Sequence, residues 1–223
     1  EIRKRGVLAV TTDKGLCGAL NSNMGREAMK WEKEGTVFVA AGRKGAQFIA
    51  RTRRNLAAEF TYKDAPLFSE ARVISKKLQE MFLNGEVDCV DVIYTRFINT
   101  LTQRVEVRRL LPIGEVQNLL NTPSVQVTPP ADLPPVHAVE HIFEPNPEQV
   151  LGAILPQFIN YLIYQLLLEG KESEDSARMV AMKNATHNAK QLIKDLTLEY
   201  NKLRQANITK ELLEITTAQM ALG

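Results

Sequence analysis

From Pro147 to Gly223 the sequence offers almost nothing that would stop a helix. Beyond Pro156 it has no further proline and one interior glycine, Gly170, with Leu, Ala, Glu, Lys, Gln and Met in long succession. At about 1.5 Å per residue, a helix over most of this span is roughly 100 Å long. An average globular helix has about 11–12 residues. A rod of that length cannot be buried inside 223 residues, so it needs partners along its length.

The pattern on the rod says what kind of partner. Ala177, Ala181, Ala185 and Ala189 recur every four residues, a strip of small side chains that lets another helix approach closely. Met182, Ala185, Ala189, Leu192, Leu196, Leu203 and Ala206 then follow a 3-4 alternation, interrupted once at Glu199. Lys190, Lys194, Asp195 and Lys202 occupy the outside positions, as in a coiled coil. Two readings stand: a long surface helix packed on its own domain, or one strand of a coiled coil inside a larger assembly. The seam demands a second helix that the chain does not obviously supply.

The remaining composition narrows the class. With 28 basic and 26 acidic residues the chain lacks the excess positive charge of a nucleic-acid binder. Arg51, Arg53 and Arg54 form a local cluster that reads as a solvated face. Cys17 and Cys89, with no signal peptide ahead of them, read as reduced thiols rather than a disulfide framework. Val150 to Leu168 carries no charge and imitates a membrane span, but Pro156, Gln157, Asn160 and Gln165 interrupt it. A helix buried on several sides by its own domain is the expectation there.

Ahead of the rod, strands and helices alternate. Val7–Thr12 reads as a buried strand and Leu20–Lys33 as a helix stopped by Gly35. Thr36–Ala41 is a second buried strand, followed by Gly42-Arg43-Lys44-Gly45 and a short helical piece. Asn55–Tyr62 is a weak strand, and Leu67–Leu83 an amphipathic helix with Ser69 as its cap. Asp88–Phe97 and Gln103–Leu111 read as an antiparallel pair about Asn99-Thr100. The order predicts an α/β fold with a partly parallel sheet and helices on its faces. Eight of the ten prolines fall between Pro112 and Pro147, which marks an extended connection. The expected division is a sheet domain with its connection over 1–143 and a shaft helix over 144–223.

Site-like strings are weak. Gly15-Leu16-Cys17-Gly18 lacks the dinucleotide spacing, and no Gly-Lys-Ser/Thr follows it. Gly42-Arg43-Lys44-Gly45 has the look of a nucleic-acid clamp without that module's context. His137-Ala138-Val139-Glu140-His141 matches a zinc-peptidase string, yet it lies among prolines where no helix is expected to hold both histidines on one face. His187 reads as an exposed polar position. Nothing here supports catalysis, and no cofactor or metal is expected.

Two stretches together carry a resemblance: TTDKGLCGALN (11–21), directly after the first strand, and EDSARMVAMKNATHN (174–188), inside the rod. With YNKLRQANITKELLEI (200–215), GRKG (42–45) and FEPNP (143–147), they resemble the gamma subunit of F-type ATP synthases, of bacterial or mitochondrial type, from Val7 to Ile215. The resemblance implies a Rossmann-like sheet domain acting as a foot on the ring of c subunits, beside the epsilon subunit. It implies that the long helix is half of an antiparallel coiled coil inside the ring of alpha and beta subunits. Such a rotor couples proton or sodium flow to ATP chemistry on the beta subunits and has no active site of its own. It would lie on the cytoplasmic face of a bacterial plasma membrane or the matrix face of the inner mitochondrial membrane.

The resemblance also assigns residues. Arg178 stands where the family places an arginine facing a beta subunit's C-terminal lever. Arg204, Gln205, Thr209 and Glu211 stand where the shaft touches the catalytic ring. Asp13, Lys14 and Cys17 fall in a loop close to that ring, and His141 and Phe143 in the foot against epsilon, although His141 departs from the family's aromatic pattern. The family begins with a long N-terminal helix that the sequence here does not show, and that helix would be the seam's partner. The chloroplast type's regulatory cysteine insertion is also missing. The competing reading is a nucleotide-dependent α/β enzyme with a helical dimerisation arm; saturable ATP binding would separate the two.

Overall fold

The computed structural model describes residues 3–62, 65–113 and 146–222. In chain order these form β1 (Arg5–Val10), α1 (Leu20–Met29), β2 (Thr36–Ala41), α2 (Arg43–Arg51), β3 (Asn55–Phe60), α3 (Phe68–Leu83), β4 (Cys89–Asn99), β5 (Thr102–Leu111) and α4 (Pro147–Leu222). The strands make one sheet in the order β3-β2-β1-β4-β5. The first four are parallel, and β5 returns antiparallel to β4. The expected partly parallel α/β sheet is the one observed.

The reason lies in side-chain alternation along the central strand. Val7 and Ala9 point to one face and join Met24, Ala28, Phe38, Ala46 and Ile49, a core capped by α1 and α2. Leu8 and Val10 point to the other and join Ile74, Leu78, Met81, Ile163, Leu166 and Leu167 from α3 and α4. Because both faces are covered, β1 reads as an unbroken apolar run from Val7 to Val10. A charge inside the sheet is neutralised: buried Asp91 on β4 takes Arg5 of β1 at 2.5 Å and Arg109 of β5 at 2.7 Å.

The outer strands behave differently. β3, read as weak, is an edge strand whose side chains alternate between exposed and half-buried. β5, at the opposite edge, carries Arg104, Arg108 and Arg109, charges that discourage strand addition. The hairpin between β4 and β5 turns where expected, with the Asn99 side-chain oxygen accepting from the backbone N–H groups of Leu101 and Thr102.

Several local expectations are corrected. α1 ends at Met29, four residues short of Lys33. Gly35 serves the entry to β2 instead, at φ +83°, where its carbonyl accepts from Arg5 N–H and a Cβ would lie 2.8 Å from the Arg3 carbonyl. Ser69 does not cap α3. Leu67 is the N-cap, and the Glu70 carboxylate reaches back to its N–H at 2.8 Å. Arg54 is not merely solvated: it donates to the Trp31 carbonyl at 3.0 Å and lies over the Phe38 ring.

α4 departs from the expected division. The compact unit built on the sheet extends to Arg178, and a second unit runs from Met179 to Gly223. The boundary falls so far along α4 because Ile159, Leu162, Ile163, Leu166 and Leu167 belong to the sheet's core, which an edge at 143/144 would sever. Nor is the uncharged run buried on several sides. It packs through one face, leaving Leu151, Ile154 and Tyr161 more than half exposed. α4 does contain an 18-residue window long and apolar enough to cross a membrane, with mean hydropathy 1.5. In the second unit Met182 to Ala221 are exposed throughout.

Candidate functional site: the loop after β1 and the start of the shaft

Asp13 leaves β1 and is committed at once to the fold. One carboxylate oxygen accepts from Arg43 N–H at 2.7 Å, at the start of α2, and the other from Tyr62 N–H at 3.0 Å, after β3. Thr11 supports the same turn, its hydroxyl accepting from Gly45 N–H at 3.0 Å, while the Thr12 carbonyl takes Lys44 N–H. The first N–H groups of α2, where a phosphate would be cradled in a nucleotide-binding fold, are therefore held by the chain's own oxygens. The glycines of the GRKG string serve this packing. Gly42 has φ +115°, and a Cβ there would sit 2.3 Å from the Thr11 carbonyl. Neither glycine makes room for a ligand.

The rest of the loop divides into buried and exposed members. Cys17 is 3% exposed, its sulfur accepting from Asn21 Nδ2 at 3.2 Å, so a loop contact cannot be made through this thiol. The exposed members are Lys14, Leu16, Gly18 and Ala19. Leu16 is 75% exposed and adopts φ +63°, a left-handed conformation costly for a branched side chain. Sequence reasoning passed over it, because a positive φ at a non-glycine residue leaves no mark in composition. Cys89, inside the sheet, has its thiol pushed up by burial and then by Asp91.

The shaft meets the sheet between Gly170 and Ser176. A Cβ on Gly170 would lie 2.8 Å from a Val10 methyl, so the helix crosses β1 at a position without a side chain. One turn on, Ser173 donates to the Thr95 carbonyl at 2.9 Å, and Ser176 to the Thr100 carbonyl at 3.0 Å. Arg178 pairs with Glu174 and, at 2.9 Å, with Asp175. Its charge is held by Glu174 first and then by Asp175, with Cys17 near enough to contribute. Tyr62 stands between loop and shaft, its hydroxyl donating to the Thr11 carbonyl. Burial first, then Asp13, Glu174 and Glu70, push that hydroxyl well above the ordinary phenol range. Asp13, Cys17 and Arg178, named separately from sequence, are thus brought to one corner of the sheet unit.

The other residues named from sequence are placed apart. Arg204, Gln205, Thr209 and Glu211 lie exposed on the second unit, Thr209 donating back to the Gln205 carbonyl. On the seam, Ala177 and Ala181 are half-buried, Ala185 and Ala189 exposed, and Leu192, Leu196 and Leu203 are 55–59% exposed. His141 and Phe143, with the His137–His141 string, lie outside the described residues.

A family model described as ATP synthase matches residues 1–222. The ATP synthase gamma chain of Opitutus terrae is 46% identical over 99% of this chain and 75% of its own length. The chain belongs to the ATP synthase gamma-chain family. The gamma chain of Roseiflexus castenholzii is 45% identical, over 97% of this chain and 72% of its own. Among solved structures, the central stalk and c-ring of the Tetrahymena thermophila mitochondrial ATP synthase aligns with a TM-score of 0.64 at 25% identity, covering 83% of this chain and 78% of that one. The Euglena gracilis mitochondrial enzyme aligns with a TM-score of 0.70 at 21% identity, over 99% of this chain and 73% of that one, a likeness of fold. For a gamma chain, a sheet unit with its helix-terminus site filled from within and a long exposed helix is a coherent design.

Proposed function

We propose that this gamma chain is the central-stalk rotor of its ATP synthase, coupling ion-driven rotation of a c-ring to ATP synthesis or hydrolysis on beta subunits and carrying no active site itself. The observation that supports this most is the uncovered seam. Leu192, Leu196 and Leu203 stand more than half exposed on one helix, a surface that water disfavours by about 25 cal/mol per Å² and that a second helix and a surrounding ring would cover. The filled N-terminus of α2 supports leaving nucleotide chemistry to another subunit, against the reading of a nucleotide-dependent enzyme.

In this reading the corner holding Lys14, Leu16 and Arg178 faces the alpha–beta ring. Arg204, Gln205, Thr209 and Glu211 meet the ring further along the shaft, and the sheet unit with His141 and Phe143 serves as the foot on epsilon and the c-ring. The complex then lies peripherally on a coupling membrane. The test is a reversible tether. A cysteine replacing exposed Lys14 is oxidised to a cysteine on a beta subunit in the assembled enzyme. ATP hydrolysis should stop on oxidation and return on reduction. Undiminished turnover with the tether closed would refute rotation of this chain.

A further inference from the structure

Glu174 is among the least exposed carboxylates of the described residues, at 2%, although it lies on a helix with an exposed polar face. Burying a carboxylate is costly unless cations and hydrogen bonds surround it. Here one oxygen pairs with Arg178, one turn ahead, and the other accepts from Lys171 Nζ at 3.3 Å, one turn behind. Asp175, exposed on the same turn, takes the other arm of the Arg178 fork at 2.9 Å and Lys171 at 3.5 Å. The turn itself is fixed to the sheet by the Ser173 and Ser176 hydroxyls, so the carboxylate has no freedom to follow a wandering arginine.

We infer that Glu174 is a positioning residue: it holds the Arg178 guanidinium in one orientation at the edge of the sheet unit, so that Arg178 meets its partner already ordered. This rests on the proposed contact of Arg178 with the catalytic ring. A free arginine samples many rotamers and loses them on binding, whereas a planar fork already held by a carboxylate loses few. The pairing leaves Arg178 about a quarter exposed, so an acidic group on a partner still has access to it.

The experiment has two readouts. In the isolated chain, nitrogen-15 relaxation of the Arg178 side chain reports guanidinium motion: slow in the native protein, and at least several-fold faster in Glu174→Gln. Equal mobility in both would overturn the positioning. In the assembled enzyme, ion pumping per ATP hydrolysed should fall about tenfold in Glu174→Gln, the loss of one charge-assisted bond. Arg178→Ala should fall equally, and the double variant no further, because the two act as one unit. Additive losses, or a Glu174→Gln variant that melts earlier while pumping normally, would overturn the inference. A silent Arg178→Ala with an unchanged mobility result would instead strike at the contact proposed for Arg178, and the positioning would then serve no coupling.

Discussion

Asp13, Lys14 and Cys17 were grouped in sequence by one motif, and the fold gives them different duties. Asp13 is spent internally on Arg43 and Tyr62, 30 and 49 residues away, partners that no local pattern announces. Cys17 is buried against Asn21, and both cysteines are shielded. Lys14 and Leu16 reach outward. Leu16 carries a specific expectation: a left-handed conformation costs a branched residue about 1–2 kcal/mol, and glycine escapes it at some entropic loss in the unfolded chain. Leu16→Gly should therefore leave the isolated chain as stable as before or raise its melting temperature by about 2 °C, while weakening attachment in the assembled enzyme. A clear fall in melting temperature would mean that the exposed side chain contributes packing.

At the scale of elements, what was legible followed from burial on two faces or one. β1 and β2 could be read because helices on both sides make them apolar over Val7–Val10 and Val37–Ala41, and β3 read weakly because it is an edge. The end of α1, the cap of α3 and the reach of the sheet unit into α4 depended on tertiary contacts and could not be read from pattern. The interior glycine of the shaft was visible, but its reason was not: it is where α4 crosses Val10. On helix propensity alone, Gly170→Ala should stabilise by about 1 kcal/mol. The added methyl meets a stiff β-branched side chain in a packed core, where overpacking costs about 1–3 kcal/mol. The expected outcome is a net loss of about 1 kcal/mol by denaturant titration, larger for Gly170→Leu. A gain would show that Val10 yields.

For the molecule as a whole, stability is unevenly shared between the two units. The sheet unit has two cores of its own, whereas the second unit from Met182 onward buries nothing among its described residues. A helix without tertiary cover is marginal in water. Hydrogen exchange on the isolated chain should show strong protection in β1, β2 and β4 and rapid exchange across Met182–Leu213, with protection there rising only if concentration pairs two copies. Strong protection of that stretch in a dilute monomer would show that the seam finds cover within this chain.

The crossing at Gly170 has one further consequence. Successive helical residues are about 100° apart, so rolling α4 about its axis by a single residue would press Glu169 or Lys171 into the space that only glycine fits. Ser173 and Ser176 latch the next turns to β4 and to the hairpin. The start of the shaft is keyed, not merely packed. In the proposed rotor, torque applied to that segment would be borne by the sheet as a rigid load and not lost as slip between helix and strand.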